Sequence, residues 1–176
     1  MSQSQKNNFN NHEPAETFLL DNGSELMLSG ENLRDMLCDV LNKGTLFRFK
    51  ARGSSMSPFI KDGDVLTICS TQQSDIKNGT IVVYYHKILN KPIIHRIVGK
   101  QNSYYLVKGD NTVGTADLVY EADILGRVSG IRRNGKITVF GLGPERFMIS
   151  FLTRSCFLIP LKIRLRKILN LLVKRF

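Results

Sequence analysis

Residues Thr80 to Gly99, "TIVVYYHKILNKPIIHRIVG", decide the fold. Two β-rich runs flank a break at Asn90-Lys91, and the second alternates with period two. His95 shares a face with Ile93 and Ile97, while Arg96 points the other way with Ile94 and Val98. Working outward, "TLFRFKA" and "DVLTICS" precede this pair, and "SYYLVKG", "DILGRVSGI" and "KITVF" follow it. Gln101-Asn102 separates neighbouring runs, and Asn134-Gly135 is a two-residue hairpin signal. Short strands at this density predict a mainly β chain, built as a coiled antiparallel sheet or partly open barrel.

Helices are expected only at the ends. In "SGENLRDMLCDVLNKG", Ser29 is an N-cap candidate, Leu33, Met36, Leu37, Val40 and Leu41 share one face, and Gly44 stops the helix. The opening residues 1–22 are polar and rich in Asn, Gln and Ser, which reads as a disordered extension without a secretory signal or membrane anchor. Residues 23–143 then form the β domain with its leading helix. Residues 144–176 form a basic helical tail, divided by Pro160.

That tail carries eight Lys and Arg against one acid, so most of the net charge of +10 sits there. Leu161, Leu165, Ile168, Leu169, Leu172 and Phe176 fall on one helical face, with Lys162, Arg164, Arg166, Lys167, Lys174 and Arg175 over most of the rest. Arg154 and the basic cluster interrupt any span of roughly 20 apolar residues. The pattern fits an amphipathic helix at an anionic membrane surface, or a helix packed on the body with a solvated basic face. Nucleic-acid binding is not expected, because the cations alternate with large aliphatic side chains instead of stacking aromatics. The three cysteines and three histidines are too scattered for a disulfide framework or a metal site, and no cofactor is expected.

The chemistry-bearing candidates lie on either side of the deciding hairpin. "GSSMSPFIKDGD", Gly53 to Asp64, clusters Ser54, Ser55 and Ser57 around Met56 and Pro58. A serine hydroxyl becomes a nucleophile only with a positioned base. His95, between isoleucines, is desolvated and so favours the neutral form a general base needs. Downstream, "LVKGDNTVGTAD" supplies Asp110 in a Gly-Asp-Asn turn and Asp117 seven residues later; either carboxylate suits the far ring nitrogen. Each residue also has a plain reading: polar loop serine, structural histidine, turn aspartate, exposed loop acid.

Taken in order, these segments resemble the signal peptidase family of serine endopeptidases, over roughly residues 47–139. In that family a Gly-x-Ser-Met-x-Pro motif carries the nucleophile, Gly-Asp starts the next strand, the base precedes an Arg-Val/Ile-x-Gly segment, and a Gly-Asp-Asn turn closes the site. The histidine at position 95 is similar to the archaeal and endoplasmic-reticulum type, where most bacterial members have lysine. The resemblance implies Ser55 as nucleophile and His95 as base. Asp117 would orient the ring, and Asp110 would hold the turn or share that role; Lys108 is a rival base. Gly53 stands where some relatives place a side-chain hydroxyl, so backbone N–H groups, including that of Ser55, would stabilise the oxyanion. Ser54 would support the motif, and Met56 and Pro58 would wall the cleft.

The expected function is therefore cleavage of a signal or leader peptide from a protein precursor, by a peripheral membrane-associated or cytoplasmic enzyme. Two alternatives stand beside it: a non-catalytic membrane-binding module on a peptidase-like fold, and a self-cleaving repressor-type peptidase. The second lacks support from an Ala-Gly or Cys-Gly site before Ser55.

Overall fold

The computed structural model describes residues 16–19 and 25–157. Along them run strands β1 (Glu16–Leu19) and β2 (Glu25–Leu28), helix α1 (Gly30–Asn42), and strands β3 (Phe47–Lys50), β4 (Val65–Cys69), β5 (Ile81–His86), β6 (Lys91–Gln101) and β7 (Tyr104–Lys108). Strands β8 (Asp117–Tyr120), β9 (Ile124–Arg133) and β10 (Lys136–Thr138) follow, then helix α2 (Arg146–Arg154). Eight strands form one antiparallel sheet in the order β3-β4-β9-β5-β6-β7-β8, with β10 paired to β9. The path ends at β3 and β8 without closing, as expected of an open, coiled, mainly β fold. Breaks in register at Thr67/Ile68, Val83/Tyr84 and Ile97/Gly99 are the irregularities that let so long a sheet curl.

Helix α1 follows its sequence signals. The Ser29 side chain accepts from the Asn32 N–H, Leu33, Leu37 and Leu41 are buried, and Gly44 ends the helix at φ +70°. The run Ile81-Val82-Val83-Tyr84 is apolar throughout because β5 is covered on both faces. Ile81 and Val83 join the α1 side chains with Leu66, Ile68, Val128 and Ile131; Val82 and Tyr84 join Ile97, Tyr105, Val107 and Val119 on the other side.

Two features depart from the sequence reading. Strand β1, which pairs with β2, falls inside the segment 1–22 expected to be disordered; Thr17, Phe18 and Leu19 are strand-forming residue types in an otherwise polar lead. Asp117, the candidate ring-orienting acid in a segment expected to be a loop, opens β8, which pairs with β7. The basic amphipathic helix expected over 161–176 lies outside the described residues. Helix α2, just ahead of it, is built into the body: Ser150 donates to the Ile97 carbonyl at 3.1 Å and Thr153 to Asp110 at 2.9 Å.

Candidate active site

The loop between β3 and β4 that holds the serines is pinned at its base. Ala51 N donates to the Asp64 carbonyl at 2.7 Å, and Gly63 N to the Ala51 carbonyl at 2.9 Å. The buried Asp64 carboxylate takes two hydrogen bonds from Arg133, both 2.8 Å, and one from Lys61 N. Burial raises its pKa, but these donors and the Arg133 charge outweigh that and hold it below the usual carboxylate value. Gly53 N donates to Asp62 Oδ1 at 2.9 Å, so this amide is already committed. Ser54 and Pro58 are exposed, Ser55 is half-buried, and Met56 is buried in the α1 core.

The Gly-Asp-Asn turn after β7 clamps this loop to the sheet. Asn111 N donates to the Ser55 carbonyl at 2.7 Å, and Asn111 Nδ2 to the Ser54 carbonyl at 3.2 Å. Gly109 is the point of closest approach. A Cβ there would lie 2.8 Å from the Ser55 carbonyl oxygen and 2.9 Å from His95 Nε2. The serine loop and the ring nitrogen thus meet across a position with room for glycine only. Among the described residues, neither the Ser55 hydroxyl nor its N–H has a hydrogen-bond partner.

The other edge of the ring faces Asp117. Its carboxylate oxygen is 3.9 Å from His95 Nδ1, too far for a hydrogen bond. Tyr84 touches both groups from the side: its hydroxyl lies 2.6 Å from Asp117 Oδ2 and 3.4 Å from His95 Nδ1. Burial lowers the ring's pKa below the ordinary histidine value, with Asp117 and Asp110 pulling the other way. Burial, then the Asp117 hydrogen bond and charge, hold the Tyr84 proton far above the ordinary tyrosine range. At working pH the phenol keeps its proton and the imidazole is neutral.

Asp110 is placed elsewhere. Its carboxylate is fully buried and paired with the equally buried Arg96, through Nε at 2.9 Å and Nη2 at 2.8 Å, and it accepts from Thr153. Arg96 Nη1 donates to the carbonyls of Gly79 and Gly141, both at 2.8 Å. Arg96 and His95 are adjacent on β6, so their side chains leave on opposite faces. The turn aspartate is therefore committed to Arg96 and Thr153, and no hydrogen bond joins it to the ring among the described residues. Lys108, the rival base, pairs in register with Arg96 and so shares its face; its ammonium donates to the Gly114 carbonyl at 2.7 Å and contacts Cys156 Sγ.

A cleft of about 400 Å³ opens beside Ser55 and His95. Leu33, Phe49, Met56, Ile60, Pro92 and Ile94 give it apolar walls; Pro58 is not among the lining residues. Tyr84 is the site residue the sequence reading missed. The signal was the hairpin register: a turn over residues 87–90 sets Val82 opposite His95 and Tyr84 opposite Ile93, placing the phenol diagonal to the ring.

The family follows from comparison. A model of the Peptidase S24-like family matches residues 22–129, and the chain belongs to that family. It is also similar to the signal peptidase complex catalytic subunit SEC11 of Clavispora lusitaniae (strain ATCC 42720), with 39% identity over 61 residues. That match covers 32% of this chain and 36% of SEC11, so the chain spans little more than a third of this relative's length.

Proposed function

We propose that this chain is a serine endopeptidase of signal peptidase type that removes a signal or leader peptide from a precursor. The observation that carries the reading is the meeting of the Ser55 backbone and His95 Nε2 across Gly109, at the mouth of an apolar cleft. In the proposed reaction His95 Nε2 takes the Ser55 hydroxyl proton as Oγ attacks the scissile carbonyl. The Ser55 N–H receives the developing oxyanion; such a donor contributes on the order of 3 kcal/mol. The imidazolium then protonates the leaving amine, and the freed peptide departs. Water, deprotonated by the same ring, cleaves the acyl ester and restores the serine.

The family and the SEC11 likeness support a peptidase acting on precursors. The exposed apolar side chains of Phe147, Met148 and Phe151 on α2, directly ahead of the basic segment, support docking at an anionic membrane surface. No described helix is long and apolar enough to cross a membrane.

The test is cleavage of a synthetic precursor peptide with small residues before the scissile bond. Ser55→Ala is expected to abolish turnover while leaving the thermal transition in place. Undiminished cleavage by that variant would dispose of the assignment.

A further inference from the structure

We propose that Tyr84 is a positioning residue that links Asp117 to His95, so that the acid acts on the ring through a phenol and not by direct contact. The proposal rests on the peptidase reading above. Its geometry is specific. Tyr84 is almost wholly buried, 1% exposed, on β5, and its hydroxyl is within reach of both groups: 2.6 Å from Asp117 Oδ2 and 3.4 Å from His95 Nδ1. The direct ring-to-carboxylate separation is 3.9 Å.

A phenol has one proton to give. The shorter contact is to a carboxylate, which can only accept, so the proton lies on that side. The remaining lone pair of the oxygen faces Nδ1, and only a ring N–H donating to it makes that contact favourable. Nδ1 therefore carries the proton of the neutral imidazole, and the lone pair of Nε2 faces Gly109 and the serine loop. The opposite tautomer would present an N–H to Ser55 and could not act as its base. When the ring takes up the serine proton, the phenol oxygen, polarised by the carboxylate, stabilises the positive charge at Nδ1.

The charged and titratable groups acting on the ring are Asp117 from β8, Asp110 from the turn after β7, and His86 from Tyr84's own strand. Asp110 is paired with Arg96, and its pull on the ring is weaker than that of Asp117. An aromatic in a strand reads as packing, and Tyr84 does belong to the buried cluster that holds Val82 and Ile97. Its oxygen, however, reaches both the acid and the ring.

The experiment is nitrogen-15 NMR of His95 in the full chain, alongside the pH dependence of peptide cleavage. The wild-type ring is expected to be the Nδ1-protonated tautomer. Tyr84→Phe keeps the packing and removes the oxygen. It is expected to mix the tautomers, move the ring titration and the acid limb of kcat to lower pH, and reduce kcat about tenfold. The direction follows because losing an acceptor at Nδ1 disfavours the charged ring. Asp117→Asn, at a partly exposed strand end, is the second variant should the first not fold. It removes the charge and is also expected to move the titration to lower pH. A wild-type ring protonated at Nε2, or a titration that neither variant moves, would overturn the proposal. Cleavage retained by Ser55→Ala would instead remove the peptidase reading and leave the NMR result standing.

Discussion

Gly109 has the most exacting position in the chain, because the serine loop and the histidine ring both press on it. A methyl group there must displace either the Ser55 backbone or His95 Nε2, each less than 3 Å away. Neither can yield easily: Asn111 holds the first and β6 carries the second. Gly109→Ala is expected to reduce kcat by on the order of a hundredfold, the scale that an ångström of misplacement produces, with the far-ultraviolet spectrum unchanged. Steady-state kinetics checks this. Legibility differed among the residues. His95 and Ser55 became candidates through the order of motifs that resembles the signal peptidases, because a loop serine and a strand histidine each have a plain local reading. Tyr84 was less legible, since a tyrosine that follows two valines in a strand has packing as a complete local explanation, and its place beside the ring needs the β5–β6 register.

At the scale of elements, β6 joins two tasks. One face presents His95; the other presents Arg96, whose donors gather Asp110, the Gly79 carbonyl and the Gly141 carbonyl, while Thr153 brings α2 to the same carboxylate. Removing one partner of a buried pair leaves an uncompensated charge, which costs about 3–5 kcal/mol. Asp110→Asn is therefore expected to destabilise the protein by about that amount in urea titration, far beyond an effect on catalysis alone. Alternation along the chain revealed most of the strands, because each needs only a local pattern. Strand β8 escaped notice because "DLVY" is too short to show one, and it becomes a strand by pairing with β7. The Arg96–Asp110 pair was equally hidden: a Gly-Asp-Asn turn explains its aspartate locally, and the partner fourteen residues away appears only when β6 and β7 lie side by side.

At the scale of the molecule, an open sheet leaves one side for a cleft and puts α2 against β6. The fold class could be read from the density of strands and turn signals; the path of the sheet, with β9 between β4 and β5, could not, because it depends on long-range pairing. The basic segment after α2 gives a whole-molecule prediction. A chain ending at Phe157 retains Ser150 and Thr153, and so keeps the buried contacts of α2, but loses six of the cations counted in the sequence. It is expected to lose binding to vesicles containing anionic lipid while still cleaving a soluble peptide; vesicle co-sedimentation and the peptide assay check the two halves separately.

The seating of Thr153 on Asp110 also sets an order of events during synthesis. The brace beneath the turn is complete only after residues 141 to 153 have left the ribosome, long after Ser55 and His95 have emerged. A nascent chain would thus carry the candidate serine and histidine for a time without this brace, and would gain it as α2 docks.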